Sequence, residues 1–376
     1  MTSKPPEKIR VLVIATTFPR WEDDQEPRFV YKLCQNLPKE VDIHVLAPHA
    51  PNAKEQETWG EIKITRFPYF YPKYLQKLCY DGGIIPKLKS SWLARVQLPF
   101  FLFFLFIRLI KMTANNRFDL IHCHWLIPQG FFCALIKFFR GTPYLLTAHG
   151  GDVYSFKGIP VIPNLIKFAL KRSTFCTVNS QATRNQVLKF SKNSSIKVVP
   201  MGVDLKEFHP GNYNEKFKAP FGEKNLLLLG VGRLADKKGF KYLIEAMPLI
   251  LQEIPSAKLV IIGFGPQKAR LENQIQQLEL ASSISLIGGK TGKELQDWFA
   301  SADIFIGPSI ITADGDTEGQ GVVFLEAMAS GTAVIASDVG GIKDAVRDNI
   351  SGLLVPEKNP QAIAEKVLTL AKNNQL

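Results

Sequence analysis

The feature that most constrains this chain is an alternation, run through twice, of short apolar β-rich segments and longer amphipathic ones. In the first half IRVLVIATTF, VDIHVLAP, EIKITRF, DLIHCHWL, PYLLTAHG, FCTVNS and IKVVPMG read as strands. In the second half NLLLLGVG, AKLVIIGFG, SISLIGG, ADIFIGPS, TAVIASD and GLLVP do, with helical stretches such as FKYLIEAMPLILQEI and QKARLENQIQQLEL between them. Strands that are apolar throughout must be buried on both faces, so the pattern is that of βαβ units around a parallel sheet. Met twice, it predicts two doubly wound α/β domains, which 376 residues accommodate. The join is expected within 202–224, rich in Pro, Gly and charge and without apolar periodicity, giving domains 1–202 and 203–376. Open parallel sheets take ligands at the carboxyl ends of their strands, so two such domains facing each other would form a deep cleft.

Composition excludes several classes. Hydrophobic residues at 46% and charged residues at 21% describe a globular protein, not a disordered one. The five cysteines are scattered, with no Cys-x-x-Cys, which argues against a disulfide framework or zinc ribbon and for a reducing compartment. The N-terminus lacks signal-peptide architecture, so a cytoplasmic location is expected. Charge is uneven: residues 1–200 hold 28 Lys+Arg against 13 Asp+Glu (+15), residues 201–376 hold 18 against 21 (−3), together +12. The basic half is expected to face an anionic partner. The apolar segment Leu98–Ile110 is too short to span a bilayer. With flanking Arg95, Arg108 and Lys111 it reads either as a buried helix or as one lying in an anionic membrane interface, and FFCALIKFFR has the same character. A peripheral place on the inner membrane face follows from the second reading.

Two stretches carry chemistry. GVGRLADKKG (230–239) follows a strand and opens a helix; its glycines admit close backbone approach, the helix start offers N–H groups, and Arg233 and Lys238 add positive charge. That combination suits a diphosphate. DGDTEGQGVVFLEAMASGTAVIASDVGG (314–341) places Glu318 in a loop, opens a helix at Gly319 and Gly321, and carries Glu326 on an apolar helix face. A carboxylate so placed calls for hydroxyl or N–H donors, which a ribose diol supplies.

These residues resemble glycosyltransferase family 4, the retaining enzymes of GT-B fold, whose second domain carries G-R-L…K-G and E-G-x-G-x-x-x-L-E-A-M-A-x-G-x-P-V-I-A. The chain shows GRLADKKG and EGQGVVFLEAMASGTAVIA, with Thr332-Ala333 departing at a strand entry. The resemblance implies two Rossmann-like domains and a UDP- or GDP-type nucleotide-sugar donor bound by Arg233 and Lys238. Glu326 would take the ribose hydroxyls, Glu318 the transferred sugar, and the backbone at Gly321 and Val322 the sugar or phosphate. TAHGGDVY (147–154) matches the family's H-G-x-D. By the resemblance His149 is catalytic and faces the donor sugar, Asp152 shapes its loop, and His124 lies on the acceptor side. The family usually continues past the last helix of this chain with one that crosses back onto the first domain.

The first loop, TTFPRWEDDQEPRFV, lacks the Gly-Gly of many relatives and is similar to branches acting on exopolysaccharide-type acceptors, which makes Arg28 and Asp24 acceptor-side candidates. His122 and His124 flank Cys123 on one strand face, but no further ligand is close in sequence, and Asp314-Gly315-Asp316 lies where Arg, Lys and helix starts can neutralise phosphate. No metal and no cofactor are expected. The expected function is transfer of a hexose-type sugar to a glycan or lipid-linked acceptor, with no nucleic acid partner. Two alternatives stay open: a GT-B sugar-nucleotide epimerase, and a basic lipid- or polyanion-binding protein with a vestigial donor site.

Overall fold

A computed structural model describes residues 8–22, 24, 26–80, 82–154, 159–191, 195–222 and 225–372. Every segment read above as a strand forms one. The chain divides into two units, one running up to Asn179 with Thr183–Val199, the other comprising Ser180–Ala182 and the chain from Pro200 onward.

The first unit is built on β1 (Ile9–Ile14), β2 (Val41–Pro48), β3 (Gln56–Trp59), β4 (Ile62–Phe67), β5 (Leu120–His124), β6 (Tyr144–Ala148), β7 (Phe175–Val178) and β8 (Ile196–Val198). Their order is β3-β4-β2-β1-β5-β6-β7-β8. All neighbours are parallel except the β3–β4 pair. Strand β3 escapes sequence reading because QETW is short, polar and on the sheet edge. Its helices are α1 (Phe29–Gln35), α2 (Ile84–Ser90), α3 (Trp92–Asn115), α4 (Phe131–Arg140), α5 (Gly151–Tyr154), α6 (Ile162–Arg172) and α7 (Gln181–Val187), the last shared with the second unit at its start. Alternate residues of β1 feed separate cores: Leu12 and Ile14 pack with Phe101 and Leu105 of α3, while Val11 and Val13 pack with Val30 and Tyr31 of α1. Both faces of the sheet are therefore covered, as its continuous apolar runs require.

The second unit holds β9 (Leu227–Val231), β10 (Lys258–Ile262), β11 (Ile284–Leu286), β12 (Ile304–Gly307), β13 (Ala333–Ser337) and β14 (Leu353–Val355). The order is β11-β10-β9-β12-β13-β14, and each pairing is parallel. Helices α8 (Glu215–Lys218), α9 (Phe240–Glu253), α10 (Lys268–Gln277), α11 (Gly292–Ser301), α12 (Val322–Ala329), α13 (Ile342–Ala345) and α14 (Pro360–Lys372) complete it. Leu228, Leu259 and Ile306 sit in one core with α9 and α14, Leu229, Val260 and Phe305 in another with α12. Each such fully buried side chain contributes roughly 1.5–3 kcal/mol.

In both sheets the strand order reverses once near the middle, between β1 and β5 and between β9 and β12. Loops leaving the carboxyl ends of those strands diverge there, which opens a crevice for ligand. The residues chosen from sequence lie on these loops: Arg233 and Lys238 after β9, Glu318 after β12, His124 at the end of β5 and His149 just after β6.

Candidate active site

In the second unit the two loops at the strand reversal are locked together. Gly239 caps the start of α9 with φ 64°, and a Cβ there would come within 1.9 Å of the Pro308 carbonyl oxygen, so only glycine fits. Ile310 N donates to Lys237 O at 2.8 Å, tying the loop after β12 to the loop after β9. The aliphatic stem of Lys238 runs over Gly232 (3.3 Å from a Cβ built there), and its ammonium forms an ion pair with Glu318. Lys237 Nζ meets Asp316 Oδ1 at 3.2 Å. Burial alone would raise the Glu318 carboxyl, but the charges of Lys238 and Lys237 hold it below the ordinary range. Lys238 is thus partly committed to Glu318, yet an ammonium has three donors and keeps others for a phosphate.

Gly321 stands at the start of α12 with φ 79°, where a Cβ would strike the Phe324 ring at 2.6 Å. This frees the N–H groups of the first turn, Val322 included, to face a ligand. Glu326 lies one turn further along. Its carboxylate has no hydrogen-bond partner among the described residues, and burial, with Glu207 nearby, pushes it up to about 7 against the pull of Lys238. An acid at that poise gains from two hydroxyl donors. Sequence reading missed Glu207 and also Gln320, whose side chain grips Met201 N (2.8 Å) and O (3.0 Å) and holds the loop before α12. Asp314 accepts from Thr312 Oγ1 at 2.6 Å and Asp316 is taken up by Lys237. Among the described residues no three His, Cys, Asp or Glu side chains gather as a metal would need.

In the first unit β5 and β6 bring three imidazoles together. His124 Nδ1 and His149 Nε2 are 2.9 Å apart with rings nearly parallel, and His122 stacks on His124 at 4.3 Å between centroids. His122 Nε2 lies 2.8 Å from Thr147 Oγ1, whereas His124 Nε2 is buried without a partner. Burial lowers His149 to about 3 and His122 to about 4, and holds His124 well below its ordinary value, with the neighbouring imidazoles adding to the effect. All three are neutral near pH 7. A neutral pair shares one proton across the 2.9 Å contact, so the tautomers of His124 and His149 are coupled. His124 therefore acts on His149 directly, a link that spacing alone did not reveal.

Asp152 is 2% exposed; its Oδ1 accepts from His149 N and Gly150 N, both at 3.1 Å, and its Oδ2 from Leu126 N at 2.9 Å. It fastens the loops after β5 and β6 to each other. Burial raises its carboxyl to about 6 against those N–H bonds. Asp24 is also 2% exposed and is bound by the Arg20 side chain at 2.7 and 2.8 Å and by Arg20 N at 2.7 Å. Arg28 lies against the Tyr31 ring with a buried Nε that lacks a partner. Phe29 and Trp125, neither singled out from sequence, flank the His149 ring at 4.9 and 5.1 Å. Trp125 holds a left-handed φ of 71°, unusual for so large a residue and a sign of a tightly determined loop.

Two family models match the chain: "Glycosyltransferase Family 4" matches residues 27–207 and "Glycosyl transferases group 1" matches residues 212–376. A glycosyltransferase of Methanocaldococcus jannaschii is 33% identical over 267 residues, covering 71% of this chain and 69% of that protein. The chain belongs to glycosyltransferase family 4. Another M. jannaschii glycosyltransferase is 32% identical over 262 residues (66% and 65% of the two chains). The amylovoran biosynthesis glycosyltransferase of Erwinia amylovora is 36% identical over 177 residues, 47% of this chain and 42% of that one. The matches thus span less than two thirds of the length of these last two family members. The fold is GT-B: sucrose-phosphate synthase from Thermosynechococcus elongatus superposes with TM-score 0.78 at 21% identity, over 97% of this chain and 90% of that one. An Anabaena protein solved in complex with UDP-glucose does so with TM-score 0.70 at 18% identity, over 98% and 91%.

Proposed function

We propose that this family 4 glycosyltransferase moves a hexose-type sugar from a UDP- or GDP-type nucleotide sugar to a glycan or lipid-linked acceptor, with retention at the anomeric carbon. The observation that carries the proposal is the cluster at the strand reversal of the second unit, where Lys238, Glu318, Glu326 and the starts of α9 and α12 converge on loops joined by the Lys237–Ile310 bond. The leaving group is a nucleoside diphosphate, so its growing negative charge is the main catalytic problem. Arg233, Lys238 and the two helix starts answer it with fixed positive charge and N–H donors. Glu326 takes the ribose diol, Glu318 the sugar hydroxyls, and Gly321 and Val322 supply backbone N–H groups. The departing phosphate accepts the acceptor's proton. His149 serves the sugar as it gains positive character; burial keeps that imidazole neutral, and an imidazolium would repel such a sugar. UDP-glucose in the Anabaena neighbour and the amylovoran biosynthesis name of the E. amylovora relative support the donor and acceptor classes. His124, Arg28, Asp24 and Asp152 belong to the acceptor side of this reading, and peripheral contact with an anionic membrane on its cytoplasmic face goes with a lipid-linked acceptor.

Calorimetric titration with UDP-, GDP- and ADP-sugars, followed by acceptor screening, tests the reading. Glu326→Ala is expected to weaken donor binding by tenfold or more, about 1.4 kcal/mol, with an unchanged circular dichroism spectrum. Full turnover in that variant would sink the assignment of the ribose site, and a product of inverted anomeric configuration would sink retention.

A further inference from the structure

Helix α3 is longer than the apolar run that marks it in the sequence. It spans 24 residues, about 36 Å, and by length and composition could cross a bilayer. Its packing decides otherwise. Ala94, Gln97, Phe101, Leu105, Leu109 and Met112 recur at helical spacing and are buried in the first unit's core. Gln97 also accepts from Lys77 N at 3.2 Å and donates to Leu75 O at 2.6 Å. Drawing α3 into a bilayer would strip that core. The helix is held flat against its own unit.

Its opposite face is apolar too, and uncovered. Trp92 (73% exposed), Val96, Phe100 and Phe103 (58%) point outward along successive turns. The patch continues sideways: Phe106 of α3 stacks on Phe132 of α4 at 5.2 Å, and α4 ends in Phe138 and Phe139, 67% and 70% exposed. Arg172 of α6 lies over Phe168 and Phe138 at 4.1 and 5.9 Å, which places cationic groups at its edge.

The stretch of chain that carries this patch is strongly basic. Residues 82–203 contain 16 Lys+Arg and only two acids, Asp119 and Asp152. Asp119 Oδ2 accepts from Arg10 N at 2.7 Å, and Asp152 is buried on backbone N–H groups. Aromatic rings on a helix face with cations at its margins suit a lipid interface, where rings enter the headgroup layer and cations meet phosphates. A nucleic acid would call for cations on the face itself.

We infer that α3, with the end of α4 and the basic edge of α6, forms a monotopic docking surface for an anionic phospholipid bilayer. It deepens the membrane contact of the proposed function and does not depend on the donor chemistry. The acceptor's lipid anchor would then reach the first unit from the same surface.

Flotation of the full chain with vesicles of phosphatidylcholine alone, or of phosphatidylcholine with phosphatidylglycerol, tests this. Binding is expected with phosphatidylglycerol and not without it; equal binding to both overturns the anionic requirement. The variant Trp92→Glu/Phe103→Glu/Phe138→Glu changes only exposed side chains and is expected to lower vesicle partition about tenfold or more, with melting temperature and nucleotide-sugar binding preserved. Undiminished partition overturns the surface. A second variant, Arg140→Glu/Lys167→Glu/Lys171→Glu, at exposed cations of α4 and α6, should lower binding to the phosphatidylglycerol vesicles, and undiminished binding overturns the role of the cations. A chain that ignores vesicles but forms a dimer in light scattering, broken by the first variant, would assign the face to a second copy and overturn the proposal. Vesicle binding intact without donor turnover would leave the surface standing and remove the transferase reading.

Discussion

Buried imidazoles next to a strand end set the pH response of the first unit. His122 and His149 refuse protons until about pH 4 and 3, while in the unfolded chain they ionise near 6.5. Below pH 6.5 the unfolded state therefore binds more protons, and stability falls as pH drops. By pH 5 the loss should reach about 1–2 kcal/mol per imidazole. Asp152 works in the opposite sense between about 6 and its unfolded value, because its folded carboxyl is raised. Glu326, raised to about 7, works in the same sense as Asp152, so the histidines are read by difference: the change in urea midpoint from pH 7 to pH 5 should be less unfavourable in His122→Asn than in the parent. An identical pH dependence in His122→Asn and the parent would contradict neutral burial of that histidine. His124 offers a separate check. In His124→Ala the hydrogen bond that couples the two imidazoles is lost, so kcat should drop with the donor Kd little changed, whereas a role in donor binding would raise the Kd.

At the level of elements, the donor loops depend on close backbone approach between the starts of helices and the ends of neighbouring strands. Gly239→Ala forces a Cβ into the Pro308 carbonyl at 1.9 Å and places alanine at φ 64°. The expected cost is about 2 kcal/mol or more, read as a lowered denaturation midpoint, together with weaker nucleotide-sugar binding because the loops after β9 and β12 separate. A variant as stable as the parent would show that these loops are not clamped. On the proposed reading the same clamp would neutralise a diphosphate without a metal, since Lys237, Lys238 and Arg233 lie on it with two helix starts. Donor binding is expected to be unchanged by EDTA, and a loss that magnesium restores would refute that charge assignment.

For the whole molecule, the division of charge between +15 and −3 halves means that long-range attraction to polyanions belongs to the first. Binding to anionic vesicles should therefore weaken steadily with added salt while nucleotide-sugar binding in the second unit changes far less. Parallel salt dependence of the two would argue against separate surfaces.

The strands, the double α/β alternation and the glycine-led starts of α9 and α12 were legible in the sequence because each depends on local spacing: apolar runs for buried strands, Gly before a helix for a tight turn. The edge strand β3 was not, since QETW owes its conformation to pairing with β4 and has no pattern of its own. The full extent of α3 was hidden for a related reason, its ends being polar or capped by Ser91 while only the middle is apolar. What folding alone decided is which side chains meet. Lys238 and Glu318, eighty residues apart, form one ion pair; His124 and His149, at the ends of adjacent parallel strands, share one proton; and Glu207 stands near Glu326. Residues this distant are joined by strand order and register, which arise from packing over the whole sheet, and the ionisation of a buried group follows from the neighbours that packing provides.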